Sequence, residues 1–435
     1  MTPPSNPPPP TRPARPGRLR RLFLDTTPLR LDHDYRWLWG GQAISGIGNQ
    51  ITRLALAYQV YALTGSTLAI AGLTLFQLVP ILVFSLGAGS IADAVDRRRM
   101  LRITQLGMMA SSVALFLLAL QPSVPLIAIY LVAFGSGAFG SLDQPARSSS
   151  ITRIVPRERL RAALALGQVN FQVASVVGPT VAGILIATVG LPAAYLADVA
   201  SFTASLLALT RIAPLPPLAN ATRPGIRAIG EGLRFAWQRR VILATYVIDL
   251  DAMVFGMPTA LFPALALDVF HAGPAGLGLL AAAPSVGALL GALLSGWVSH
   301  VRRVGLAVIV AVAIWGIAIT LFGLAAFSLP LALVFLAIAG AADVLSAVFR
   351  SAIVQLAAPD ELRGRVASIQ FLVVTSGPRV GDIEAAAVAS VIGAQASVVS
   401  GGLLCLVGLA GVVRLFPELR RHVLGAALDG PSEAA

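Results

Sequence analysis

The sequence predicts an all-α membrane protein: twelve transmembrane helices arranged as two pseudo-symmetric six-helix bundles. Composition, one-sided placement of arginine and an internal repeat predict it. Of 435 residues, 56% are hydrophobic and only 12% are charged, with mean hydropathy +0.81. Soluble chains carry roughly 25% charged residues, so half that value across this length requires a polytopic membrane protein. No polar stretch reaches ~50 residues, the low end of domain size, which leaves no room for a soluble catalytic domain, and the chain is not read as an enzyme. All 32 basic residues are arginine. Without lysine there is no Gly-x4-Gly-Lys phosphate loop, which excludes a single-chain ATP-driven pump. Cys405 is the only cysteine, and the histidines at 33, 271, 300 and 422 have no metal-ligand spacing. Neither a metal nor a cofactor is expected.

Taken in order, residues 1–35 form a Pro- and Arg-rich tail expected to be disordered, lacking the apolar core of a signal peptide. Apolar runs near the ~20-residue length needed to span hydrocarbon then alternate with short breaks. They place helices at 36–62, 66–92, 100–120, 124–145, 160–189, 191–211, 241–267, 274–299, 304–326, 330–350, 363–391 and 394–416. The odd-numbered turns, such as Thr64-Gly-Ser-Thr and Gly190-Leu-Pro, contain no arginine. The even-numbered turns and both termini contain 30 of the 32, all but Arg53 and Arg379. The positive-inside rule makes that side cytoplasmic, both termini included, in the cytoplasmic membrane of a bacterium. The net charge of +12 therefore faces the lipid surface and the cytosol rather than nucleic acid.

The halves repeat. Arg147-Ser…Pro156-Arg-Glu…Leu160-Arg161…Gln168 parallels Arg350-Ser…Pro359-Asp-Glu…Leu362-Arg363…Gln370, and Asp143 and Asp343 precede the two copies. A same-direction repeat of six helices predicts a pseudo-twofold axis along the membrane normal. The N-terminal bundle spans 36–212 and the C-terminal bundle 241–416, with a cytoplasmic linker at 213–240 and a tail at 417–435. Residues 225–240 read as an amphipathic surface helix.

Residues 89–101 read Gly-Ser-Ile-Ala-Asp-Ala-Val-Asp-Arg-Arg-Arg-Met-Leu, a charged turn between two apolar runs. Gly89, Ala92, Asp93, Arg97, Arg98 and Leu101 make it resemble the loop between helices two and three of major facilitator superfamily transporters. Ala94 stands where that family has arginine, and Asp96 where it has glycine. Further stretches, among them Asp249-Leu, Ala283-Pro-Ser-Val-Gly-Ala-Leu, Ala341-Ala-Asp343 and Asp360-Glu-Leu-Arg-Gly-Arg-Val, are similar to the enterobactin exporter group. The resemblance implies a major facilitator fold and export of a small organic molecule, a siderophore or drug-like compound, by alternating access coupled to proton influx. A general multidrug or macrolide exporter is the alternative. The implied partners are the substrate, protons and the bilayer, with no obligate protein partner.

An ionisable residue at mid-membrane costs ~2.5–3.5 kcal/mol on insertion scales, so each is a functional candidate. Arg379, Asp382 and Glu384 follow Gly377-Pro378; the proline leaves the Val374 carbonyl without its helical donor. Arg379 and Asp382 share a face, whereas Glu384 lies about 200° around from Asp382. The group reads either as a proton-coupling cluster or as a structural ion pair; the resemblance matches an acid at Glu384 and departs at Arg379 and Asp382. Asp249, matched by the resemblance, is expected to face the cavity, with Asp251 paired to another helix; the other reading puts Asp249 at a helix end in water. Arg53 either neutralises a carboxylate across the bundle or binds an anionic substrate, and Asn49 and Gln59 are further cavity candidates. By resemblance, Gly89, Asp93, Arg97, Arg98, Arg147, Asp343 and Arg350 form a gate in which Arg147 partners Asp93. The other reading is a solvated loop that only sets topology, which suffices for the three arginines 97–99. Gly178-Pro179 and Gly377-Pro378 are paired hinge candidates. Gly287 and Gly291 read as close-packing positions.

Overall fold

The computed structural model describes residues 25–94, 96–216, 234, 237–357 and 363–421; side chains are described for all of these except 85–94, 299, 363–368, 371 and 372. Among the described residues, twelve long helices follow in order: α1 His33–Thr64, α2 Thr67–Ala94, α3 Arg97–Ala119, α4 Leu126–Ile154, α5 Leu160–Thr188, α6 Leu191–Thr210, α7 Arg240–Phe255, α8 Gly273–Leu293, α9 Val304–Leu324, α10 Leu329–Ala357, α11 Arg363–Ile392 and α12 Ala394–Leu415. Among the described residues, ten spans are long and apolar enough to cross a membrane, α7 counting together with its continuation to Val269. The other two helices, α1 and α11, have 32 and 30 residues, ample length. They carry more polar residues: Asn49, Gln50, Arg53 and Gln59 in α1, and Arg379, Asp382 and Glu384 in α11.

Local chemistry explains the ends. Asp96 caps α3, its carboxylate accepting from the Arg99 amide at 2.9 Å. The positive-φ glycines Gly65, Gly190, Gly273 and Gly393 all lie in odd-numbered turns, where left-handed backbone lets the chain reverse tightly. Gly190 after α5 and Gly393 after α11, at φ 108° and 87°, occupy matching places in the two halves. Gly256 ends α7; the chain then resumes as a short 3-10 turn Thr259–Leu261, Phe262–Ala264 and a π-helical turn Leu265–Val269.

Within the N-terminal half, α1 packs on α5 and α6, and α4 on α2 and α3; in the C-terminal half, α10 packs on α8 and α9, and α12 on α9. The halves meet through α5 against α8 and α2 against α11. Close backbone approach makes the first contact: a Cβ on Gly183 would lie 2.7 Å from the Pro274 carbonyl oxygen, and one on Gly278 2.6 Å from that of Pro179. In lipid, where apolar burial gives helices little drive to associate, such packing holds them together.

The buried apolar clusters divide unevenly. One large cluster joins both halves and includes Tyr61, Ile70, Ile186, Leu265, Leu277, Phe322 and Ala389, toward the odd-numbered turns. Toward the arginine-bearing turns, three smaller clusters each stay within one half: Tyr35, Leu101 and Leu166 in the first; Val308, Phe349 and Leu409 in the second; Tyr246 and Val354 also in the second. Tyr61 donates to the Asp268 carboxylate and Thr67 to the Ala386 carbonyl, hydrogen bonds that cross between the halves at the fused end. Among the described residues, buried apolar packing joins the halves only toward the glycine-bearing turns.

Several boundaries correct the sequence reading. The expected tail to residue 35 is in part ordered: Thr27–Leu31 is a helix and α1 begins at His33, whose neighbours Asp32 and Asp34 bind Arg159 and the Ala213 amide. Both α4 and α10 run past their predicted ends at 145 and 350, so Arg147 and Arg350 sit inside helices rather than in turns. Most of the expected surface helix at 225–240 lies outside the described residues, as do 1–24 of the tail and 422–435.

Candidate transport site and gates

The break in α7 creates the local problem around which the site is built. Where a helix restarts, its first amides have no carbonyl partner within the helix. Asp382 of α11 supplies one from outside: its Oδ1 accepts from the Ala260 amide at 2.8 Å and from the Thr259 hydroxyl. Gly381 and Gly377 let α11 come this close to α7, since a Cβ on Gly381 would lie 2.3 Å from the Met253 carbonyl oxygen.

Two cations converge on this carboxylate. Arg379, one turn before it, donates Nη1 to the Thr375 carbonyl at 2.7 Å and lies in electrostatic range of Asp382. Arg53 of α1 reaches the same place from the opposite half, in range of both Asp382 and Arg379. Arg53 is exposed, as is Asn49 one turn earlier on the same face. A mid-helix arginine that keeps its surface open while facing the other bundle lines the space between bundles rather than lipid. Glu384 is half-buried, with no hydrogen bond or ion pair among the described residues, so it does not join this group.

Gln59 corrects the expectation of a cavity position: it is 3% exposed and accepts the Tyr195 hydroxyl at 2.6 Å inside the N-terminal half. Asp249 corrects it too. It does not face the cleft but is buried, with Arg350 Nη1 2.6 Å from its Oδ1, and Arg350 Nη2 lies 3.9 Å from Asp343. Breaking a buried pair typically costs 3–5 kcal/mol, so this one clamps α7 to α10. Asp251 is not paired: its Oδ2 has no hydrogen-bond partner among the described residues, and its Oδ1 rests where a Cβ on Gly408 of α12 would be.

The N-terminal counterpart of the clamp is Arg147, which grips Asp143 within α4 through Nε at 3.1 Å and Nη2 at 2.9 Å, while Thr104 donates to the other carboxylate oxygen at 2.8 Å. Arg147 Nη1 and Arg350 Nε stay buried without a hydrogen-bond partner among the described residues. The proposed partner Asp93, with Gly89, lies among the undescribed side chains. Arg97 and Arg98 do more than set topology. Arg97 is 3% exposed and donates Nε to Ser149 of α4 at 3.0 Å. Arg98 donates to the Leu209 and Thr210 carbonyls at 2.9 and 2.8 Å, closing the end of α6. The hinge candidates lie in unbroken helices: Gly178 presses on Gln50 of α1, and Gly377 on Met253 of α7.

One intramembrane acid escaped sequence reasoning. Asp198 of α6 is 1% exposed and gathers hydroxyls from three helices: Thr52 and Ser112 at 2.6 Å each and Ser201 at 3.1 Å. Its isolation in an otherwise apolar run was the available signal.

Comparison with known proteins supplies the family. A family model described as transmembrane secretion effector matches residues 25–425. The chain is 32% identical over 390 residues to the multidrug efflux pump Tap of Mycolicibacterium fortuitum, covering 86% of this chain and 94% of that protein. It is 28% identical over 406 residues to the enterobactin exporter EntS of Citrobacter koseri, covering 92% and 95%. Among solved structures it resembles a bacterial homologue of the lysosomal transporter Spinster in an inward-facing, unoccupied conformation, with TM-score 0.70 and 14% identity over 91% of this chain and 99% of that one. A bacterial homologue of the iron transporter ferroportin, also inward-facing, gives TM-score 0.67 and 14% identity over 90% and 99%. With its two helical bundles and a match running almost end to end, the chain belongs to the transmembrane secretion effector family of major facilitator transporters.

Proposed function

We propose that this transporter exports a small organic molecule, a siderophore or a drug-like compound, by alternating access driven by proton influx. The observation that carries the reading is the convergence of Arg53, Arg379 and Asp382 from opposite halves at the restart of α7; the reading adds a cleft between the bundles that opens toward the arginine-bearing end. With that end cytoplasmic by the positive-inside rule, the cleft faces inward, ready to load. The working units are bundles 36–212 and 241–416, which rock about the midplane on either side of the linker 213–240.

Asp382 is the coupling acid in this scheme. Ionised, it holds the restart of α7 and both guanidinium groups; protonated, it loses charge-assisted bonds and lets the second part of α7 shift. Glu384 is the reserve candidate, whereas Asp249 stays engaged by Arg350. Arg147 and Arg350 each keep a buried donor without a hydrogen-bond partner among the described residues, and together with Asp93, Arg97 and Asp343 they are the candidates for the cytoplasmic gate. Both substrate classes have support in the relatives' names, one a drug pump and one a siderophore exporter.

The test is export profiling in a bacterial strain deleted for its own exporters. Cells expressing the chain are expected to gain resistance to members of a drug panel or to release more siderophore under iron limitation, and Asp382→Asn is expected to abolish the gain. No change in either measurement contradicts export.

A further inference from the structure

We propose that the central site selects organic anions, taking a carboxylate or similar planar oxygen pair on Arg53. The inference rests on reading the chain as an exporter and names its substrate class. Three charged groups converge at the site, Arg53, Arg379 and Asp382, which leaves one uncompensated positive charge. The one acid is already occupied: Thr259 and the Ala260 amide hold its Oδ1, and both guanidiniums lie in its field. Arg379 spends a donor on the Thr375 carbonyl. Arg53 is different. It keeps an exposed surface and has no hydrogen-bond partner among the described residues, so its fork of five donors is available to a ligand between the bundles.

A guanidinium fork matches a carboxylate bidentately, and away from bulk water such a charge-assisted pair is stronger than a neutral one. A cationic compound would meet two like charges at the same depth and find no unengaged carboxylate there. Asn49, exposed one turn from Arg53, adds an amide that can donate to a second oxygen. Of the other intramembrane acids, Asp249 is matched by Arg350 and Asp198 is enclosed by hydroxyls in the N-terminal half; the two without a partner among the described residues lie elsewhere, Asp251 against Gly408 of α12 and Glu384 about 200° around α11 from Asp382. Exchange has an electrical consequence. One monoanion leaving for one proton entering carries two charges in the same electrical sense, so transport responds to membrane potential. A monocation exchanged for one proton carries none.

The experiment uses the full chain in proteoliposomes with an imposed pH gradient and two probes of the same ring and opposite charge, 1-naphthoate and 1-naphthylmethylammonium. Naphthoate is expected to move, faster under an imposed potential, and the ammonium probe not. Arg53→Gln is expected to weaken naphthoate binding about tenfold to a hundredfold. Arg53→Lys keeps the charge without the fork and is expected to retain anion preference at reduced affinity; it carries the test should Arg53→Gln not fold. Preference for the ammonium probe, or unchanged naphthoate binding by Arg53→Gln, overturns the inference and leaves export standing. Protein that passes the cell export assay yet moves neither probe also overturns it. Failure of the cell assay itself is failure of the exporter reading.

Discussion

Asp198 illustrates how single polar residues are tolerated inside this protein. Three hydroxyls from α1, α3 and α6 satisfy it without any cation, and Gly48 leaves the room: a Cβ there would lie 2.0 Å from the Ser201 hydroxyl. Removing the carboxylate strands those hydroxyls, though Ser112 and Ser201 have carbonyls of their own helices to fall back on. Asp198→Ala is therefore expected to destabilise the protein by about 1–2 kcal/mol, below the full penalty for an orphaned group, and Asp198→Asn by less. Thermal unfolding in detergent checks the order of the two. At this scale the sequence was informative about which residues are unusual and poor at saying where they point. Arg53 and Asp382 stood out by charge alone, and their shared face with Arg379 followed from spacing. That Gln59 turns to Tyr195 and Asp249 to Arg350 depends on which neighbouring helix lies against that face, which one-dimensional spacing does not contain.

Helices reveal the same division. The twelve described helices are legible from apolar runs, because hydrophobic length is a local property, whereas the break at Gly256–Pro258 divides what the runs predict as one helix, 241–267. What the break is for was not legible, since its cap comes from Asp382, 122 residues away. The expected close-packing role of Gly287 holds, joined by Gly340, which lacks an obvious sequence pattern. A Cβ on Gly287 would lie 1.8 Å from the Ala337 carbonyl oxygen, and one on Gly340 1.9 Å from that of Pro284. Backbone cannot retreat as a flexible side chain can, so Gly340→Val is expected to force α8 and α10 apart. Lost folded yield on size-exclusion chromatography is the expected outcome, whereas Gly296→Ala, whose added Cβ would meet nothing within 4 Å, leaves yield unchanged.

For the molecule as a whole, one asymmetry organises the rest. Among the described residues, apolar packing joins the halves at the end with glycine turns, and the clusters at the arginine end remain separate. The arginine count predicted which end faces the cytosol; it said nothing about which end is shut, because a transporter's sequence encodes both conformations. The most direct test of the account is accessibility of a cysteine at Asn49 in a chain with Cys405→Ser, probed with an impermeant maleimide in oriented membrane vesicles without substrate. Labelling from the cytoplasmic face, and none from the opposite face, is the predicted result. Labelling only from the opposite face would contradict a cleft that opens inward to the Arg53 site.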